Sequence, residues 1–314
     1  MGRYWNQFRF LPSLFSSVVG RAGSCLRLRK HRPQSCPTPF IPVPYYVPTI
    51  ALPAPLPSIV EIEASTEILR ERSTVKVVAI GSHYVVKYGE TLNLEEGRMM
   101  VFIAQHTQIP VPRVYALFRD GKDRSFIVME RIHGQTLKET WHTFADHKKE
   151  LIVMQLRHCI RQLRKVGSPG GYCGLDQKPL LDDIFWTPEQ DCNGPFDTEA
   201  DLNAAIVRKC RTSEALKHKA EFYNLVFPEV LVGHQPVLTH GDLQKKNIMI
   251  RTGDENQVVI LDWEVAGWYP TYWEYASTIF AAWFEDDWYR WIPQFLETFP
   301  NEYAWYAMVA QEIA

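Results

Sequence analysis

Apolar and polar positions alternate along this chain with two different periods, and the period changes where the elements change. Val75 to Ile80 and His83 to Tyr88 are β-branched or aromatic runs around Gly81-Ser82, which predicts a hairpin with a two-residue, glycine-first turn. Glu96 to His106 switches to helical spacing, with Met99, Phe102 and Ile103 on one face. Ile109 to Leu117 reads as an extended segment entering a strand, Asp120-Gly121-Lys122-Asp123 as a turn, and Ser125 to Glu130 as a further strand. Beyond it the helical period dominates. Lys148 to Lys165 places Ile152, Leu156, Cys159, Ile160 and Leu163 on one side, and Glu199 to Arg208 and Ser213 to Leu225 are further helix candidates. The pattern is therefore β-rich first and mainly helical afterwards, an α+β chain in two parts.

Two short hydrophobic strands interrupt the helical part, Ile248 to Ile250 and Val258 to Leu261, joined by a polar turn. As a hairpin they carry Asn247 and Asp262 at their open end, with Asp242 in the loop before them. An Asp, an Asn five residues on and an Asp after a hydrophobic strand is what phosphoryl transfer requires: a carboxylate beside the acceptor hydroxyl and hard oxygen ligands for magnesium. Each residue alone reads as an ordinary turn or strand cap. A rival reading takes His240-Gly241-Asp242 as half of an iron facial triad, which needs a second histidine. No histidine follows His240, and an upstream partner would leave Asn247 and Asp262 unexplained.

The upstream half supplies the complementary charges. Lys87 interrupts the apolar run Tyr84-Val85-Val86, where an edge lysine that keeps strands apart is the competing reading. Glu96 stands at the start of the first helix, where capping competes. The order strand lysine, helix glutamate, Asp, Asn, Asp is the one a kinase uses. Arg131 to Gly134 would cross between the two parts after the strand ending at Glu130, so that backbone groups of Glu130 and Ile132 meet adenine.

With VVKYG, EGRMMVFIAQHTQIPVPRVYAL, FIVMERIHGQTLKETW, GPF at Gly194 to Phe196, THGDLQKKNIMI and ILDWEVAGWYPTYWEY in this order, the chain resembles the aminoglycoside phosphotransferase family over about residues 70 to 310. That family is a branch of the protein-kinase-like fold, related to choline and homoserine-type small-molecule kinases. The resemblance implies a small antiparallel sheet with one helix as the N-terminal lobe and a larger, mainly helical C-terminal lobe. It implies ATP and Mg2+ as co-substrate and metal, Asp242 as catalytic base, Asn247 and Asp262 as metal ligands, Lys87 as phosphate clamp and Glu96 as its partner. There is no glycine-rich loop, so Gly81 is the candidate for the phosphate side. Trp263-Glu264 follows the metal aspartate where protein kinases have Phe-Gly, and no activation segment is evident.

Composition narrows the partners. A formal net charge of -2 gives no case for nucleic acid. Six cysteines without paired metal spacing fit reduced thiols and a cytoplasmic location. Residues 1–60 contain no Asp or Glu, carry seven Arg or Lys up to Arg32, and then run uncharged through nine prolines from Pro33 to Val60. The prolines argue against a membrane span and for an extended linker, and the basic start has the composition of a mitochondrial transit peptide or of a basic tail. The expected domains are thus 1–60 as an extension, 61–132 as nucleotide-binding lobe and 133–314 as catalytic and acceptor-binding lobe.

Seven of the ten tryptophans lie from Trp263 to Trp305, near Glu264, Glu274, Glu285, Asp286 and Asp287. Core packing is the main expectation for these rings, with a cationic amine on them as the alternative. The expected activity is transfer of the γ-phosphate to a hydroxyl of a small molecule, such as an amino-alcohol or aminoglycoside. A nucleotide-binding regulator without transfer and a protein kinase are the alternatives.

Overall fold

The computed structural model describes residues 40–72, 74–253 and 257–313. The first part is a six-stranded antiparallel sheet in the order β1-β5-β6-β4-β3-β2. Its strands are β1 (Tyr45–Tyr46), β2 (Ile68–Glu71), β3 (Val75–Ile80), β4 (Tyr84–Gly89), β5 (Val114–Arg119) and β6 (Ser125–Glu130). Alternation along β4 sorts its side chains between the two faces. Tyr84, Val86 and Tyr88 pack with Phe126, Val128 and Ile62 on one face, and Val85 and Lys87 turn to the other.

The face bearing Tyr84 is covered by the proline-rich segment from residue 40 onward, through Val47, Leu52, Leu56 and α1 (Ile59–Glu63). This segment is extended, as its prolines dictate, but it is no free linker: Tyr45 pairs with Leu117 as an edge strand, and the Arg98 Nε donates to the Ile41 carbonyl at 2.9 Å. Residues 1–39, where the basic targeting-type segment was expected, lie outside the described residues. No helix among the described residues is long and apolar enough to cross a membrane.

On the other face lies α2 (Glu95–His106), one residue longer at its start than the apolar spacing predicts. Gly97 lets it approach closely, because a Cβ there would sit 2.2 Å from Leu117 Cδ2. The β3–β4 hairpin has Ile80 opposite Tyr84, so its turn is the three residues Gly81 to His83 rather than two. Gly81, at φ +56°, supplies the left-handed residue that such a turn needs.

The chain then crosses at Arg131 to His133 into β7 (Gly134–Thr136), which pairs with β9 (Ile248–Arg251), and β9 with β10 (Val258–Ile260). The remainder is helical: α3 (Leu137–Thr140), α4 (Asp146–Leu163), α5 (Glu199–Arg211), α6 (Lys217–Val230), α7 (Trp273–Phe280), α8 (Trp288–Phe295) and α9 (Pro300–Ile313). All five residues expected on the apolar face of α4 are buried. The helix expected from Ser213 begins instead at Lys217, after a short 3-10 turn, and runs to Val230. A two-stranded ribbon of β8 (Pro236–Thr239) and β11 (Gly267–Pro270) lies at the base of the loop carrying Asp242.

Candidate active site

The β9–β10 hairpin forms in the expected register, with Ile248 opposite Ile260, and the Leu261 N–H donates to the Asn247 carbonyl at 2.8 Å. That bond closes the open end and sets Asn247 beside Asp262. Asp262 itself has φ +62°, an uncommon conformation outside glycine that marks a residue held by its surroundings. The Asn247 Nδ2 donates to the Asp242 Oδ2 and to the Asp242 carbonyl, both at 2.8 Å. Lys246 Nζ lies 3.2 Å from Asp242 Oδ2, and the Gln244 amide donates to Oδ1. Both Asp242 oxygens are therefore engaged by donors from its own loop.

That loop is anchored from below. The wholly buried Glu274, in the first turn of α7, accepts the His240 N–H at 2.7 Å and the Gly241 N–H at 3.1 Å. His240 Nε2 in turn meets the Leu261 carbonyl at 2.9 Å, joining the Asp242 loop to the strand that ends in Asp262.

From the sheet, Lys87 reaches the same place. It occupies a central strand between β3 and β6, which removes the edge-lysine reading. Its ammonium lies 2.6 Å from Glu96 Oε2, 3.1 Å from Glu264 Oε2 and 3.4 Å from Asp262 Oδ1. Burial would push the Lys87 ammonium down, but the three carboxylates outweigh it and hold the group above the ordinary lysine range. Burial pushes the Glu96 carboxyl up, to about 7, against the pull of that ammonium. Glu96 thus serves Lys87 rather than capping α2, and Glu95 bonds Arg98 instead.

Lys87, Glu96, Lys246, Asn247 and Asp262 line one cleft of about 750 Å³ between the six-stranded sheet and the β7–β9–β10 sheet, and Asp242 is held against Asn247 at its side. Its apolar walls are Val77, Val85, Met100, Met129, Met249 and Leu261, and the crossover segment forms its rim. The Glu130 N–H is taken by the Arg113 carbonyl at 2.8 Å and the Arg131 N–H by His83 at 2.9 Å, leaving Ile132 as a rim amide without a protein partner among the described residues. Glu130 lines the cleft while its side chain holds Arg251 at 2.8 Å. Gly81 does not line the cleft: its carbonyl accepts Arg131 at 2.7 Å, and His133 holds the adjacent Ser82 carbonyl at 2.7 Å. Those two bonds tie the turn to the crossover.

Several contributors were not singled out from sequence. Arg70, in the same sheet row as Val77 and Lys87, places a guanidinium nitrogen 3.7 Å from Asp262 Oδ2. Lys246 was likewise not named, and Glu264, considered only as the residue after Trp263 and as an acid near the aromatic region, pairs with Lys87 instead. Conversely, the acidic residues considered for binding an amine are largely committed elsewhere. Glu274 holds the loop backbone, Asp286 pairs with Lys245, and Asp287 accepts Trp141 Nε1 at 2.8 Å, Trp291 Nε1 at 3.0 Å and Lys149 at 2.8 Å. Trp263, Trp268, Trp273 and Trp288 are fully buried core residues, whereas Trp283 and Phe284 are exposed. The four cysteines among the described residues are free and buried, and burial pushes the Cys159 thiol up to about 12.

Solved structures share this architecture at low identity. A thermostable mutant of aminoglycoside phosphotransferase APH(4)-Ia matches with a TM-score of 0.53 and 14% identity, over 77% of this chain and 83% of that one. The GDP complex of aminoglycoside 2'-phosphotransferase-IIIa matches with a TM-score of 0.54 and 14% identity, over 78% and 82%. The GDP and kanamycin complex of APH(2")-IIIa matches with a TM-score of 0.53 and 13% identity, over 79% and 82%. Among curated protein sequences, none matches. The fold is the two-lobed α+β kinase-like fold of these enzymes, and the sequence pattern of the phosphotransferase enzyme family, APH, matches residues 70–309. The chain belongs to the APH phosphotransferase family.

Proposed function

We propose that this phosphotransferase moves the γ-phosphate of ATP to a hydroxyl of a small molecule. The observation that carries the reading is a lysine among three carboxylates at a cleft that Asn247 also lines, with Asp242 held by that asparagine. Asp242 orients the acceptor hydroxyl and takes its proton, a role worth about 10²- to 10⁴-fold in rate. Its bonds to Asn247, Gln244 and Lys246 hold the carboxyl group in one orientation. Lys87, oriented by Glu96, holds phosphate oxygens, and the Ile132 N–H is the adenine donor that the rim leaves open.

The donor set fits magnesium. Carboxylate oxygens of Glu96, Asp262 and Glu264 lie within 4.8 Å of one another, and Asn247, its Nδ2 committed to Asp242, keeps its side-chain oxygen available. Asp262 and Asn247 are the residues that would hold the ion, with Glu264 beside them. When bound, the ion supplies neutralisation of charge on the phosphate oxygens.

The acceptor class follows less directly, since solved relatives with this fold include a complex with kanamycin while most acidic groups near the aromatic region here are committed within the protein. The test is incubation of the full chain with magnesium and γ-labelled ATP, with GTP in parallel, against pooled amino-alcohols, sugars and aminoglycosides. A labelled small molecule is expected, and chelation should abolish it. Label on polypeptide instead would point to a protein kinase. Thermal stabilisation by nucleotide with no labelled product would point to a regulator.

A further inference from the structure

A second cavity, of about 690 Å³, shares no lining residue with the cleft and lies along α4, with β8 and the end of α8 contributing to its wall. Arg157, Arg161, Arg164 and Lys165 line it from the end of α4 and the turn after it. Spacings of four and seven or eight residues put these cations on one side of the helix, where they repel one another. None of the four forms an ion pair among the described residues. Arg157 Nε donates to the Gln294 carbonyl at 2.5 Å, and Arg164 to the Leu238 carbonyl and to Thr239 Oγ1 at 3.3 Å. Neutral oxygens satisfy donors without cancelling charge. The only carboxylate in the lining is Glu297.

Gln162 stands beside these cations; its Oε1 accepts the Gln108 N–H at 2.7 Å, and its Nε2 is buried away from the cavity surface. The guanidinium forks at the surface match the geometry of an oxyanion. Arg164 has the carboxylates of Glu274 and Glu297 near it, whereas Arg157, Arg161 and Lys165 have no carboxylate partner among the described residues, and these three cations favour a ligand of more than one negative charge. Tyr275 and Phe295 add an apolar side, and the volume is that of sites for nucleotide-sized molecules.

We propose that this cavity binds a phosphorylated organic molecule, at a site separate from the catalytic cleft. Arg161 and Lys165, both exposed at the mouth, take the phosphate oxygens, and the apolar side receives the organic body.

The test is calorimetric titration of the full chain with 1-naphthyl phosphate and with inorganic phosphate, beside sedimentation with phosphatidylcholine vesicles with and without phosphatidic acid. Naphthyl phosphate should bind more tightly than inorganic phosphate. Arg161→Glu with Lys165→Glu should weaken binding by about 10-fold or more, as expected for two lost charge-assisted bonds, whereas Lys87→Met should leave it within about 2-fold. Arg161→Gln with Lys165→Gln, which adds no acid, should show the same direction with an unchanged melting temperature. Retention on phosphatidic acid vesicles that the same substitutions abolish would identify a lipid headgroup as the source of the phosphate, and binding of the soluble probe alone a free metabolite. Absence of both, equal binding by the charge-reversed protein, or loss only in Lys87→Met would overturn the site.

Discussion

Glu274 Oε2 accepts the His240 N–H at 2.7 Å from within the core. Its other oxygen takes the next N–H, so one carboxylate at the start of α7 fixes the backbone two residues before Asp242. The position of Asp242 is thus set by a helix that begins about thirty residues later and carries no direct part in the proposed chemistry.

Glu274→Gln should separate position from chemistry. An amide offers one acceptor where the carboxylate offers two, so one buried N–H loses its partner, at a cost of about 2 kcal/mol. Denaturant unfolding should show that loss. Turnover should fall while nucleotide affinity, set by the sheet and crossover, stays close to wild type.

Asp242→Ala removes the proposed base but none of the groups on the sheet. Transfer should drop by about 10²- to 10⁴-fold, while nucleotide still raises the melting temperature as in the parent protein. Equal turnover in the variant would sink the assignment.

Lys87→Met leaves Glu96, Asp262 and Glu264 without the cation they share. Breaking a buried pair this way should cost about 3 kcal/mol near neutral pH. The loss should vary with pH in a defined sense. Glu96 titrates above its ordinary value of 4.5, at about 7 even with Lys87 present. A carboxyl raised on folding contributes stability fully present below 4.5, lost as pH rises through the folded value. The deficit of Lys87→Met should therefore widen from mildly acid pH to beyond 7, as measured by urea unfolding across that range.

Asp287 gives the opposite sign. Its burial works against ionisation, but bonds from Lys149, Trp291 and Trp141 hold the carboxyl down at about 2, below the ordinary 3.8. That stability is present above 3.8 and is lost as pH falls towards 2. Because Asp287 is partly exposed, the contribution should be about 1 kcal/mol. Asp287→Asn should be less stable than the parent at pH 6 and converge on it near pH 2, read from melting curves.

Local pattern settled much of this protein. The period-2 runs from Val75 to Glu130 and the apolar face of α4 are fixed by nearest neighbours, and they formed with small shifts at their ends. Lys87, Glu96, Asp242, Asn247 and Asp262 could be picked out by their order along the chain, which survives folding; that Lys87 meets Glu96 and Asp262, and Asn247 meets Asp242, is seen only in the folded chain. A turn glycine such as Gly81 reads alike whichever end of a sheet it occupies; only the bonds from Arg131 and His133 show that this turn faces the crossover.

What the sequence could not decide was the use of charges brought together across long separations. Glu274 and Asp287 have the same appearance in one dimension as a residue that receives an amine, yet the first ends under His240 and the second between Trp141 and Lys149. The strap from residue 40, and the cations of α4 around Gln162, likewise acquire meaning only from what they pack against. Secondary structure and reaction chemistry rest on spacing along the chain, which sequence carries in full. The partner of a buried charge is chosen by burial and distance in space, and those exist only once the chain has folded.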